Sequence, residues 1–357
     1  MVAHPYTELP AYTRWARSVA DKPTAEVDPV VDFPFTISAT DKVATAGSCF
    51  AQHIARHLRK NGFNYYVVED GHPIAEESTK QAFNYGVFSA RYGNIYTSRQ
   101  LLQLCQRAYG EFRPIADYWR SPKVEGFIDP FRPTIQPNGF STLAELRADR
   151  VQHLSRVRQM LETLDYLVFT LGLTEMWFDR SDGAAFPVCP GVAGGEYDDS
   201  KVGFHNLSAA EVFADLKAAL NKLFSVNPGA RVILTVSPVP LAATALHRHV
   251  LTSTTYSKAV LRVASEEVCG EFQNCAYFPS YEVITGQYAR GSYFANDLRS
   301  VTEDGVEHVM RLFLKHATDL SAAALPKTPA ETTQGNFIAE MSRVVQALCD
   351  EELLEPR

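Results

Sequence analysis

A hydroxyl and a thiol stand side by side at Ser48 and Cys49, directly after Gly47. The residues before them, Lys42-Val43-Ala44-Thr45-Ala46, read as a short strand. Those after them, Phe50 to Lys60, have helical spacing through Phe50, Ile54, His57 and Leu58. A strand, a glycine and then Ser-Cys entering a helix puts both side chains at a helix N-terminus. There the macrodipole and the open N–H groups lower a thiol pKa and can hold an oxyanion, which suits a nucleophile. A serine cap followed by a buried cysteine is an equally ordinary use of the two residues, so both readings stay open.

Such a nucleophile normally needs a base. His205 follows a glycine-rich stretch (Gly191, Gly194, Gly195, Gly203) and can reach a site from another strand end, or else cap a helix or pack in a core. His53 and His57 share a helix face, and His247 and His249 flank Arg248. Neither pair has a third ligand and His-Glu-x-x-His is absent, so neither a metal nor another cofactor is expected.

The elements that must position these groups alternate. Tyr65 to Val68 is a second strand candidate, Tyr166 to Leu171 and Arg231 to Val236 are continuous apolar runs of buried parallel type, and Cys275 to Pro279 is a fifth candidate. Helical patterns cover Ser98 to Tyr109, Ser141 to Leu164, Ala210 to Phe224, Tyr256 to Phe272, Thr302 to His316 and about Glu331 to Glu352. Strands alternating with helices predict a three-layer α/β/α sandwich around a central parallel sheet. Residues 1–40 read as an extended leader, 41–318 as the main domain with a helical insertion at about 70–140, and 319–357 as a linker and C-terminal helix.

Ligands of such sheets bind at the carboxyl ends of the strands. Gly172, Thr174 and Glu175 follow the third strand, and Ser237, with Thr244 beyond it, follows the fourth. Ser280, Tyr281 and Glu282 follow the fifth, with Asp297, Arg299 and Ser300 further on. Glu282 and Asp297 can orient a base or act as acids, and Lys258 and Arg299 can hold an anionic group. Tyr85, Tyr92, Tyr96 and Trp177 can stack on sugar rings, although such aromatic residues more often pack in a core.

The 357 residues carry a net charge of −7, with 46% hydrophobic and 21% charged residues. That excludes a mostly disordered chain and argues against a general nucleic-acid binder. No apolar run reaches 18 residues and no secretory leader is evident, so no membrane span is expected. The six cysteines, at 49, 105, 189, 269, 275 and 349, include no C-x-x-C pair, which points to thiols in a reducing, cytoplasmic setting.

Gly47-Ser48-Cys49-Phe50-Ala51 resembles the name motif of the GSCFA family, which looks like a branch of the SGNH (GDSL-like) hydrolases. Tyr92-Gly93-Asn94-Ile95-Tyr96-Thr97, Thr170-Leu171-Gly172-Leu173-Thr174-Glu175, Phe204-His205-Asn206-Leu207, Val236-Ser237-Pro238-Val239-Pro240, Ser257-Lys258-Ala259 and Tyr277-Phe278-Pro279-Ser280-Tyr281-Glu282 strengthen the likeness. It runs from about residue 42 to 316. By that resemblance the fold is SGNH- or flavodoxin-like. Cys49 takes the nucleophile's place and Ser48 the aspartate's, or Ser48 is the nucleophile after a shift of one residue. Gly93 and Asn94 supply oxyanion or substrate contacts, and Thr174 replaces an asparagine. Asp297-Leu298-Arg299-Ser300 aligns with Asp-x-x-His but has serine in the histidine's place.

The resemblance thus implies an acyl-ester hydrolase or acyltransferase acting on an acylated glycan or small molecule. Cys49 or Ser48 would attack, and His205, held by Asp297 or Glu282, would be the base. The missing histidine implies the alternative, a catalytically silent protein that binds a glycan or a partner. Substrate, hydrolysis versus transfer, and oligomeric state are not legible in the sequence.

Overall fold

The computed structural model describes residues 4–121, 124–320 and 353–354. At its centre lies a parallel sheet of β1 (Val43–Gly47), β4 (Tyr166–Leu171), β8 (Arg231–Val236) and β9 (Cys275–Tyr277), in the order β1-β4-β8-β9. The register runs Gly47 to Thr170 and Thr170 to Thr235 across neighbouring strands. All of β1 and β4 is buried, as strands covered on both faces require.

Alternate side chains sort into two cores. Ala44, Ala46, Leu167, Phe169, Leu171, Val232, Leu234 and Val236 face one layer of helices. That layer is α3 (Ser98–Ala108), α4 (Leu143–Thr163), α5 (Ala209–Val226) and α6 (Val250–Glu271). Val43, Tyr166, Val168, Ile233 and Ala276 face the other, made of α1 (Phe50–Lys60), α7 (Ser280–Thr285) and α8 (Glu303–Ala317). Each large apolar side chain so buried contributes roughly 1.5–3 kcal/mol. The architecture is the expected three-layer α/β/α sandwich.

Other expectations are corrected. Tyr65 to Val68 forms no strand; Tyr65 makes one parallel bridge to Val43. Val68 then donates to Ser89 O at 2.8 Å and the chain leaves the sheet edge. The insertion holds, besides α3, the short α2 (Glu77–Ala82) and a hairpin of β2 (Trp119–Ser121) and β3 (Val124–Ile128). The glycine-rich stretch after residue 172 contains a small antiparallel sheet of β5 (Glu175–Asp179), β6 (Ala185–Phe186) and β7 (Val202–Asn206), ordered β6-β5-β7. Helix α6 starts six residues before Tyr256, because His249 Nδ1 accepts the Leu251 N–H and caps it.

The leader is not simply extended. It makes short helical turns at Ala11–Thr13, Ala16–Ala20 and Thr24–Glu26, then lies along α8, where Ile37 bridges to Thr318. The expected C-terminal helix, most of the linker and Cys349 lie outside the described residues. Among the described residues, no helix is long and apolar enough to cross a membrane.

With the Tyr65 bridge counted, the chain steps from β1 outward to one side, then returns to β4 and winds the other way. The carboxyl ends of β1 and β4 therefore flank the topological switch point, where ligands of such sheets bind.

Candidate functional site

Gly47 ends β1 at φ +128°, and a Cβ there would lie 2.3 Å from Thr170 O. Only glycine fits so close to the neighbouring strand. The ladder continues one step further, with Ser48 N–H donating to Thr170 O at 3.0 Å. Cys49 then adopts helical angles (φ −52°, ψ −27°) as the N-cap of α1. Ser48 is only 4% exposed and its Oγ has no hydrogen-bond partner, whereas Cys49 is half-buried. The thiol is thus the more accessible of the two groups.

Three segments frame this turn. Ile95 N–H donates to Gly47 O at 2.9 Å, while Tyr96 O accepts from Gly172 N at 3.0 Å and Leu173 N at 2.9 Å. Gly93, at φ +71°, lets the chain bend into that path. Asn94 is buried, and its Oδ1 accepts from Gln52 in the first turn of α1 at 3.5 Å. Gly172 packs so closely that a Cβ would sit 3.2 Å from Ser48 Cβ and 3.3 Å from Tyr96 Cδ1. Helix α6 holds the third segment. Lys258, 3% exposed, donates to Gly172 O at 2.7 Å, and Ser257 Oγ accepts the Thr174 N–H at 3.1 Å.

The structure therefore gathers Gly47, Ser48, Cys49, Gly93, Asn94, Gly172, Thr174 and Lys258. Tyr96, one of the aromatic candidates for stacking on a sugar ring, joins them through its backbone carbonyl. The structure also adds Asn206, whose Oδ1 accepts from Thr174 Oγ1 at 2.6 Å. The Phe-His-Asn-Leu motif pointed to that segment, but to its histidine.

Other candidates are engaged elsewhere. Neighbours on a strand point to opposite faces, and His205, just before Asn206, donates instead to Glu211 Oε1 at 2.8 Å. Glu211 also takes the Ser208 N–H at the start of α5, which with the Ser208 hydroxyl and His205 brings its pKa down to about 2. Glu282 accepts from Arg262 and from Tyr277 Oη, both at 2.8 Å. Asp297 accepts from the N–H groups of Arg299 and Ser300 and from Ser300 Oγ, closing an exposed turn. Arg299 reaches Pro240 O at 3.2 Å. Glu175 accepts from Thr244 Oγ1 at 2.6 Å, and Ser237 Oγ from Val239 N at 3.3 Å. Of the remaining aromatic candidates, Tyr92 donates to Thr45 O, Tyr85 stacks on the Arg91 guanidinium, and Trp177 packs on Tyr197 and Phe204.

Two imidazoles, His53 and His57, sit on α1, and His53 is the one nearer the turn. His53 follows Cys49 by four residues, and its ring lies 5.5 Å from that of Phe50, over the first turn. Its Nδ1 is withdrawn from solvent and has no partner. Burial, with Arg56 and His57 nearby, lowers its pKa to about 3, so the ring is uncharged. Thr170 Oγ1, Thr235 Oγ1 and Ser280 Oγ are also buried and unpartnered. The two threonines are register neighbours near the carboxyl edge, and Ser280 opens α7 just beyond β9.

Three of the other described thiols are held protonated by their surroundings. Burial pushes Cys105 up to about 12 and Cys189 to about 11. Cys275 is raised further, chiefly by the Cys269 thiol 3.5 Å away. Among the described residues, no three His, Cys, Asp or Glu side chains gather as a metal-ligand set.

Fold and turn together define an α/β protein whose first strand delivers Ser-Cys to a helix N-terminus at the sheet's switch point. The chain belongs to the GSCFA family, whose model matches residues 42–313. None of the curated proteins compared with it matches the chain.

Proposed function

We propose that this GSCFA protein is an SGNH-like acyl-ester hydrolase or acyltransferase with Cys49 as nucleophile, acting on an acylated glycan or small molecule. The observation that carries this reading is a half-buried thiol at the N-terminus of α1, on a turn that Gly47 alone permits. The sulfur attacks the acyl carbonyl, and backbone N–H groups of Cys49 and Gly93 receive the oxyanion. The ester C–O bond then breaks and the alcohol leaves with a proton. Water or an acceptor hydroxyl finally takes the acyl group from sulfur. A thiol at a helix N-terminus depends less on a strong base than a hydroxyl does. The reading therefore survives the engagement of His205 with Glu211.

The test is turnover of an aryl-acetate panel, with labelling by a thiol-reactive acylating probe. Cys49→Ala should abolish both, while Ser48→Ala keeps labelling. Labelling that survives in both variants would sink the reading. The second reading, a silent binding protein, is favoured by the Asp297 turn, which closes on Ser300 rather than on an imidazole. Absence of any aryl-ester turnover, with retained binding to a glycan array, supports it.

A further inference from the structure

Beyond segment 92–95 lies a cluster of buried charge that the proposed chemistry does not use. Arg91 donates to Asp149 at 2.8 Å. Arg132 donates to Asp129 at 2.9 Å and to Asp149 at 2.7 Å. Arg150 bonds Asp117 at 2.9 Å and lies 3.4 Å from Asp129. Glu69 accepts from His153 Nδ1 at 2.7 Å and from Arg91 N at 2.6 Å.

Arg107, in the last turn of α3, is the exception. Its guanidinium makes no hydrogen bond or ion pair with any described residue; its Cζ lies 4.0 Å over the Phe131 ring. Asp117 is offset by Arg147, its other partner. That leaves the guanidinium groups of Arg91, Arg107, Arg132 and Arg150 facing the carboxylates of Glu69, Asp129 and Asp149. One positive charge is uncompensated, and Arg107, half-buried over Phe131, is the group without an anionic partner. Burial lowers its pKa to about 10; Asp129 opposes that fall and Arg150 and Arg132 add to it, so it stays charged at neutral pH.

A partly open cavity of about 30 Å³ adjoins it, lined by Arg107, Arg132, Gln100, Gln103, Asn94 and Phe131 among others. At roughly 10–15 Å³ per water-sized atom, the enclosed part seats about two oxygens, with the carbon between them on the open side. Two oxygens on one plane, facing a guanidinium fork, describe a carboxylate. A tetrahedral phosphate would leave two of its four oxygens outside the enclosed part, unmatched by the fork. Gln103 is already fixed by Gly183 O and Ala185 N, both at 2.8 Å, so this wall is preformed.

We infer that this cavity binds the carboxylate of a small molecule, with Arg107 as the anchoring cation. Asn94 and Ile95 line the same cavity, and Ile95 N–H bonds Gly47 O, so an occupant rests against the segment that frames the Cys49 turn. The inference does not depend on the acyl-transfer reading.

The test is thermal unfolding of the full chain in sodium formate against sodium chloride at equal ionic strength, with phosphate as a third arm. Formate should raise the midpoint of the wild type, by about 2–4 °C well above its dissociation constant and logarithmically with concentration beyond it, and phosphate should match chloride. Arg107→Met should lose the formate response and melt above the wild type in chloride, because an apolar side chain replaces an uncompensated cation. A formate response equal to chloride, or one that persists in Arg107→Met, overturns the inference. So does an Arg107→Met protein that melts lower or fails to fold, since Arg107 would then be balanced within the protein.

Discussion

Two buried polar regions flank segment 92–97, and they are built in opposite ways. Where the insertion meets α4, Glu69, Arg91, Asp129, Arg132, Asp149 and His153 are bonded to one another. At the carboxyl end of the sheet, Ser48 Oγ, His53 Nδ1, Thr170 Oγ1, Thr235 Oγ1 and Ser280 Oγ have no partner. Buried polar groups in native proteins are nearly all satisfied, so a cluster of exceptions marks a place built for something other than holding. The insertion fixes position; the turn leaves groups uncommitted. Arg107 is the point at which the first region behaves like the second.

The largest effect should come from breaking the paired region. Arg132→Met removes the cation that Asp129 and Asp149 share, at 2.9 and 2.7 Å, and leaves them Arg150 at 3.4 Å and Arg91 at 2.8 Å. Removing one side of a buried ion pair costs about 3–5 kcal/mol. Urea unfolding should show a loss of that order. A loss under about 1 kcal/mol would mean the network is not what holds the insertion, and the contrast with the turn would fail.

Gly47→Ala comes next, at the turn. A Cβ 2.3 Å from Thr170 O at φ +128° cannot be accommodated without moving β1 against β4. Backbone strain of this kind costs about 1–3 kcal/mol. If the turn positions the thiol, Cys49 labelling should fall more steeply than stability. Unchanged labelling in a destabilised protein would assign Gly47 to the sheet alone.

How much of this contrast is legible in the sequence follows from what each region needs. The turn is readable because its cause is local. An apolar run, a glycine and a helical pattern are adjacent in the chain, and the apolar runs at Tyr166 to Leu171 and Arg231 to Val236 mark the sheet beside it. The paired region is not, because its ion pairs join α4 to residues 69–132, and isolated charges among aromatics, glycines and prolines read as loop. The small sheet of β5, β6 and β7 escaped for a related reason. Its strands are short, half-exposed in part and separated by Gly, Pro and Asp turns, so no period-2 stretch is long enough to register. His205 shows the limit most sharply. Its segment is at the site, but alternation along β7 sends Asn206 to Thr174 and His205 to Glu211.

Acid titration distinguishes one group of each region, Glu69 and His53, by window. Burial alone would raise the Glu69 carboxyl, but His153 and Arg132 bring it down to about 2 from an ordinary 4.5. A depressed carboxylate stabilises the fold above its unfolded pKa and loses that contribution as pH falls from about 4.5 towards 2. His53, lowered by burial to about 3 from 6.5, behaves differently. The unfolded chain takes up its proton below 6.5 while the folded chain does not, so stability falls as pH drops from 6.5 towards 3. His53→Gln should flatten the slope between pH 6.5 and 4.5 by at most about 1.4 kcal/mol per pH unit and leave the lower window intact. An unchanged slope would show that His53 is charged in the fold and bonded to something, which removes it from the unpartnered set.

The smallest effect is the most discriminating, because its sign matters more than its size. Thr235→Val exchanges an unpartnered buried hydroxyl for a methyl of nearly the same shape. Where a hydrogen bond existed, that exchange costs about 1 kcal/mol or more; where none existed, it relieves the desolvation of the hydroxyl. The expected result is therefore a stability unchanged or raised by up to about 1 kcal/mol, in both Thr235→Val and its register neighbour Thr170→Val. A loss in both would mean that buried water serves the row of hydroxyls, as it does in many polar cavities. The turn would then be as fully bonded as the insertion, and the difference between the regions would lie in who supplies the partner: the protein's own charges in one, solvent in the other.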